Sequence, residues 1–212
     1  RVRRVGSHHV DDPRGGEIDW AAQSNEQLAK RLGDARVAVR KRAQHALRRR
    51  GHGAVGALRR AFDHAGSPEH RLQIVWALTA IDDDAARGAV RKALRDDDPT
   101  VVQAALHSVS VCRDSQVVGE LVRIVNEDAA PQQRAAAEAL GRLGSPVAVD
   151  ALLTAAARPH DRALEHSLIY ALIEIGDAES TRRAMAAHPS PHARRAALIA
   201  LDQMAGGDVP VG

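Results

Sequence analysis

A small residue followed by an aliphatic one recurs along the chain as Ala46-Leu47, Ala77-Leu78, Ser108-Val109, Ala139-Leu140, Ala171-Leu172 and Ala200-Leu201. The second members are 31, 31, 31, 32 and 29 residues apart. Three residues before each small member stand Ala43, Ile74, Ala105, Ala136, Leu168 and Ala197. Each copy therefore has the spacing that brings side chains onto one helical face, and six copies at one period define a repeat.

The punctuation predicts two helices per repeat. Asp34, Ser67, Asp98 and Ser190 are candidate N-caps, and the last three precede Pro68, Pro99 and Pro191, where a first-turn proline forfeits no hydrogen bond. Gly51, Gly144 and Gly176 follow apolar-periodic segments and suit helix C-terminal ends. Shorter amphipathic stretches lie between: Glu26 to Leu32, Ala54 to Phe62, Ala85 to Leu94, Val117 to Val125, Val147 to Ala156 and Glu179 to Ala187. The prediction is all-α, about twelve helices in six antiparallel pairs. Pairs that cannot bury their apolar faces alone must stack, giving a right-handed α-solenoid with a concave inner surface. Its expected extent is residues 24–205, after an extended leader or linker over 1–23 and before a tail over 206–212.

Composition narrows this further. Of 212 residues, 44% are hydrophobic, but the only aromatics are Trp20, Phe62, Trp76 and Tyr170, against 41 alanines. A core of Ala, Leu, Val and Ile has little side-chain volume, so its elements must approach closely, which suits stacked helices better than a β-sandwich. With 27% charged residues the chain is not a disordered tail, and no apolar run approaches the roughly 20 residues that cross a bilayer. Cys112 is the only cysteine, which excludes an internal disulfide and a thiolate metal cluster. The net charge of +3 conceals an asymmetry: residues 1–66 hold 15 Lys and Arg against 7 Asp and Glu, whereas 67–212 hold 15 against 20. The first third attracts acidic partners and the remainder does not.

Segments such as Leu32-Gly33-Asp34 through Val39-Arg40-Lys41-Arg42-Ala43, and Arg134 through Ala139-Leu140-Gly141-Arg142-Leu143-Gly144, resemble the short HEAT-like repeat family sometimes named after phycobilisome lyases. The resemblance covers roughly residues 24–204. It implies the solenoid, but the family's shared residues are packing residues and bring no shared activity. Asp12-Pro13-Arg14 through Ile18-Asp19-Trp20, with Leu164-Glu165-His166-Ser167-Leu168-Ile169-Tyr170-Ala171-Leu172, resembles the HEAT portion of large exported bacterial proteins. In those, a quinoprotein-dehydrogenase-like propeller precedes the repeats and a c-type cytochrome domain follows. That resemblance implies an exported or periplasmic chain, against a cytoplasmic one without it, and makes Arg1 to Val5 a last propeller strand. The expectation is a piece of a longer protein. The absence of a Cys-x-x-Cys-His haem site means no redox chemistry transfers to these residues.

Taking each copy's small residue as zero, positions zero, plus one, minus two, minus three and minus seven share one apolar arc. Positions minus one, minus five and plus two fall opposite, on the expected concave side. The minus-one column reads His45, Trp76, His107, Glu138, Tyr170, Ile199, and the minus-five column reads Lys41, Leu72, Gln103, Arg134, His166, Arg195. The candidate ligand-binding residues are Lys41, His45, Trp76, Gln103, His107, Arg134, Glu138, His166 and Tyr170. They form a stripe, which suits an extended ligand better than a small substrate. Trp76 and Tyr170 are read either as amphipathic groove anchors or as partial core, and Arg134 with Glu138 as a surface pair four residues apart.

Other chemistry is thinner. His8, His9, Asp11 and Asp12 belong to the leader and read as solvated. His45 and His107 lack a third ligand for a metal. Asp82 to Asp84 and Asp96 to Asp98 lack the Gly and terminal Glu of a calcium loop and read as caps. Neither a nucleophile triad order nor a phosphate-binding Gly loop nor a dinucleotide fingerprint is present. The leading expectation is a non-enzymatic interaction or scaffold module without cofactor or metal. It binds a protein or peptide partner on the concave face, or spaces flanking domains, with no membrane insertion. The alternative is a nucleic-acid-binding protein resembling the HEAT-like DNA glycosylases, served by Lys41, Arg48, Arg134, Arg195, Trp76, Tyr170 and Glu138. A tetrapyrrole-handling lyase follows only from the family name and matches no individual residue.

Overall fold

The computed structural model describes residues 10–127, 129–159 and 161–205. His8, His9, the segment Arg1 to Val5 and the tail Gly206 to Gly212 lie outside the described residues. Two compact units divide the chain, residues 1–89 and 90–212, with the division inside one helix.

The first unit holds α1 (Asn25–Arg31), α2 (Val37–Arg50), α3 (His52–Asp63), α4 (Pro68–Thr79) and the start of α5 (Asp84–Ala93). Ser24 closes a capping box with Gln27, and Ser67 accepts from the His70 amide, so α1 and α4 begin at a hydroxyl that satisfies an otherwise unpaired N–H. α2 departs from the expected cap. Its N-cap is Arg36 without a side-chain bond, because the Asp34 carboxylate instead accepts from the Arg36 amide at 2.9 Å and from its guanidinium at 3.0 and 2.9 Å. α1 packs on α2 and α3, and α4 packs on α3 and α2. First helices thus meet first helices, and second helices meet second.

Residues 10–23 precede the first helix and are mostly exposed, with Gly15 buried. They form turns held against α1 and α2 by long arginines that reach backbone carbonyls. Arg36 donates to Asp12 O at 3.1 Å, Arg42 to Arg14 O and Gly15 O at 3.1 and 3.0 Å, and Arg50 to Gln23 O at 2.6 Å. The Asp12 carboxylate accepts the Gly16 and Glu17 amides, which closes the turn.

The second unit continues through α6 (Pro99–Val111), α7 (Val118–Glu127), α8 (Ala130–Leu143), α9 (Val149–Ala156), α10 (Arg162–Ile175), α11 (Ala178–Ala187) and α12 (Pro191–Gln203). Asp98, Asp161 and Asp177 cap α6, α10 and α11 with their carboxylates. Ser190 occupies the α12 cap position without making a side-chain bond. α8 packs between α6 and α10, α10 packs on α12, and the first helices α7, α9 and α11 contact one another in order.

All six residues of the minus-three column are fully buried, and so are the plus-one residues Leu47, Leu78, Val109, Leu140, Leu172 and Leu201 to within 2%. Each such leucine withdraws enough apolar surface to stabilise the fold by about 1.5–3 kcal/mol. None of the four aromatics belongs to the buried set. Small residues permit close approach instead: a Cβ on Gly141 of α8 would lie 3.0 Å from the Ala171 Cα of α10 and 2.6 Å from Glu174 Oε2. The plus-two column, expected to be exposed, is buried at Ser110 and Gly141 because the next second helix covers that flank. It is exposed at Arg48 and at Asp202, beyond which no helix follows among the described residues. In the apolar arc the exception is Leu198, 40% exposed on α12.

Polar links inside each unit reach about one repeat along the chain. Arg60 meets Glu26 at 2.7 Å, 34 residues away, and Arg142 meets Ser110 Oγ at 3.1 Å, 32 residues away. The buried Asp114 carboxylate accepts from Nε and Nη2 of the Arg91 guanidinium, at 2.6 and 2.9 Å, 23 residues away.

Candidate functional site

The second helix of each repeat buries one face, and the register of that face determines what the other presents. In the first unit, α2 presents Lys41 and His45 to solvent, and α4 carries Trp76 half-buried. In the second unit, α6 presents Gln103 and His107, α8 presents Glu138 with Arg134 half-buried, and α10 presents His166 and Tyr170. The periodicity therefore places seven of these nine candidates on exposed surface. Tyr170 is 49% exposed and stacks its ring on His166, one turn earlier, at 6.2 Å between centroids and 6° between planes.

The expected Arg134 and Glu138 pairing gives way to links that the helix pattern does not contain. Arg134 reaches the Asp161 carboxylate at the start of α10, 3.7 Å away, while Glu138 accepts from Arg142 at 2.6 Å. Arg195 of α12 bonds Glu165 of α10. These contacts leave the exposed face of the second unit patterned but largely charge-compensated. They also weaken the case for a nucleic-acid surface, since Arg134 and Arg195 each face a carboxylate that competes with phosphate.

Charge compensation is visible in the carboxylates. Hydrogen bonding from the Arg95 guanidinium, with Arg123 alongside, holds the Glu120 carboxyl below the ordinary range. The Arg36 guanidinium does the same to Asp34, and the Ser180 amide, then its hydroxyl, to Asp177. Each shift favours the ionised form in the fold. Among the described residues no cluster of three His, Cys, Asp or Glu side chains is placed to hold a metal, and no helix is long and apolar enough to cross a membrane.

Sequence reasoning missed one element beside the predicted stripe. Trp20, from the segment before α1, lines a cavity of about 720 Å³ together with Lys41, Arg42, His45, Arg49 and Arg50 of α2. Its indole N–H donates to Gly15 O at 2.8 Å, and the Arg42 guanidinium lies 4.4 Å from the ring centroid. A tryptophan in a segment of turn-forming residues was the available signal.

Residues 25–110 and 89–173 match the family model for HEAT repeats, in two overlapping stretches that cover most of the chain. The chain is a HEAT-repeat protein. Helices α11 and α12 lie beyond the matched stretches. No curated protein sequence matches this HEAT-repeat chain.

Solved structures resemble it at low identity. The complex of CpcE and CpcF of phycocyanin lyase from Nostoc sp. is 19% identical over 85% of this chain and 86% of that one, with a TM-score of 0.49. An engineered protein is 17% identical over 87% of this chain and 98% of its own, with a TM-score of 0.52. A designed armadillo repeat protein, solved with the peptide (KR)4, is 16% identical over 86% of this chain and 100% of its own, with a TM-score of 0.52. The last two place the HEAT-repeat protein among helical repeat solenoids.

Proposed function

We propose that this HEAT-repeat protein is a non-enzymatic interaction or scaffold module, which binds a protein or peptide partner along the exposed faces of its second helices, or holds flanking domains at a set separation. The observation that carries the reading is the register of Tyr170 and Trp76. Both stand in the column that also contains His45, His107 and Glu138, and neither is fully buried, although the minus-three and plus-one columns of the same helices are buried throughout. Amphipathic rings at a surface supply contact area at small entropic cost. The peptide in the designed armadillo structure supports the same use of a helical repeat scaffold.

The test is affinity capture with the purified chain as bait at low and moderate salt, with nuclease-treated controls, repeated with Trp76→Ala. A protein retained at both salts and lost with Trp76→Ala, while the circular dichroism of the variant is unchanged, is the expected result. Turnover of a substrate by the isolated chain would overturn the reading. Loss of helical signal in Trp76→Ala would show that this side chain serves packing.

A further inference from the structure

Nine arginines, spread over both units, pair with carboxylates: Arg36, Arg60, Arg87, Arg91, Arg95, Arg123, Arg134, Arg142 and Arg195. Helix α2 concentrates six Lys and Arg residues without one such pair among the described residues. Its 14 residues, VAVRKRAQHALRRR, contain no acid, and its side chains Lys41, His45 and Arg49 have no carboxylate partner among the described residues. These three line the cavity beside Trp20. Its wall is already fixed, because Arg42 and Arg50 are tied to Arg14 O, Gly15 O, Gln23 O and Asn25 Oδ1.

The spacing of the three groups indicates the form of the missing partner. Lys41, His45 and Arg49 succeed one another at four-residue intervals, which is about 6 Å of rise per step along a helix. An extended peptide repeats its same-face side chains every two residues, about 6.6 Å. Carboxylates on alternate residues of such a peptide therefore meet the three groups in turn over about 12 Å. A compact anion such as phosphate would require the three groups to converge on one point, and here they succeed one another along the helix. Beyond its phosphates, a nucleic-acid strand gains binding from aromatic faces on which its bases stack. The Trp20 ring is engaged by Arg42 at 4.4 Å and faced by Arg31 at 6.0 Å, with its N–H held by Gly15 O.

We infer that the Lys41, His45 and Arg49 ladder, with the Trp20 cavity beside it, is a docking site for an extended acidic peptide bearing carboxylates on alternate residues. The inference rests on the interaction-module reading and deepens it by giving the chemistry of the partner at the first repeat.

The test is fluorescence anisotropy of the full chain with labelled hexapeptides: alternating Glu and Ser, the same composition in blocks, alternating Lys and Ser, and a short single-stranded oligonucleotide. The alternating acidic peptide is expected to bind saturably, more tightly than the block peptide, and more weakly as salt rises. Lys41→Ala with Arg49→Ala should weaken it by about fivefold to tenfold, as expected for two partly exposed ion pairs. Arg162→Ala with Arg194→Ala, an equal charge change in the second unit, should leave it unchanged. Circular dichroism of both double variants establishes that they fold.

Equal binding of alternating and block peptides, indifference to the α2 substitutions, or tighter α2-dependent binding of the oligonucleotide would each overturn the inference. If the acidic peptide fails while Trp76→Ala still abolishes partner capture, the acidic site falls and the interaction reading survives. If the peptide binds while no captured protein depends on Trp76, the reverse holds.

Discussion

Helices α2 and α8 have the same length, 14 residues, and occupy the same place in their repeats, yet they present opposite surfaces. α8 carries Arg134 and Arg142 and gives each a carboxylate, Asp161 and Glu138. It also buries Ala135, Ala136, Ala137, Ala139 and Leu140 and brings Gly141 against α10. α2 buries only Val39, Ala43 and Leu47, and its six Lys and Arg residues find carbonyls or solvent in place of carboxylates. One sequence period thus builds a helix committed to its neighbours and another that keeps charge in reserve. The repeat fixes which side of a helix is buried, and the residues on the exposed side determine what that helix can still bind.

The contrast is most severely tested in the core. Leu140→Asp would place a charge at a fully buried site of α8 and lower stability by about 4 kcal/mol, read as a large fall in the midpoint of urea unfolding. A smaller effect with a change of sign is expected at glycine. Gly141→Ala should destabilise by about 1 kcal/mol because its methyl group meets α10, net of the helix-propensity gain. Gly119→Ala in α7, where a Cβ meets nothing within 4 Å, should stabilise by about 0.5–1 kcal/mol. Equal shifts at both would mean that α8 and α10 are not in close contact.

At the surface, Arg142→Ala should cost about 0.5–1 kcal/mol through its bonds to Glu138 and Ser110, whereas Arg49→Ala should change stability by less than about 0.5 kcal/mol. A larger loss at Arg49 would mean that α2 holds a structural partner. The last test is acid. Because Arg95 depresses the folded pKa of Glu120, this carboxylate stabilises the fold above its unfolded value, and the contribution disappears as pH falls through the folded value. The difference in Tm between the native chain and Glu120→Gln should therefore be present at neutral pH, begin to shrink as the pH drops below the ordinary glutamate value of about 4.3, and be lost only at more acid pH, below the depressed folded value.

Much of the architecture is legible in the sequence because it is local. Ser67-Pro68 and Asp98-Pro99 each open a helix, as their local chemistry predicts, and the columns headed by Ala43 and Leu47 declare which face turns inward. What escapes is anything decided by which of several partners in reach a side chain takes, or by the helix that packs next. Asp34 resembles a cap until Arg36 claims its carboxylate. Arg134 and Glu138 resemble a pair until Asp161 and Arg142 offer alternatives of better reach. Ser110 and Gly141 sit on the polar side of a helical wheel yet lie beneath the following helix. Trp20 belongs to no helix, so periodicity could not assign it, and the Arg42 contact that orders it spans 22 positions of irregular chain and helix.

The polar links between helices described above reach back or forward by about one repeat, from 23 residues for Arg91 with Asp114 to 34 for Arg60 with Glu26. Folding such a chain never requires distant segments to find one another before any reward is gained. The entropy of closing each loop is modest, and it is offset by the next helix that docks. Assembly can begin in any repeat and spread to its neighbours, and a chain emerging from the ribosome can consolidate each helix pair while the following one is still being made.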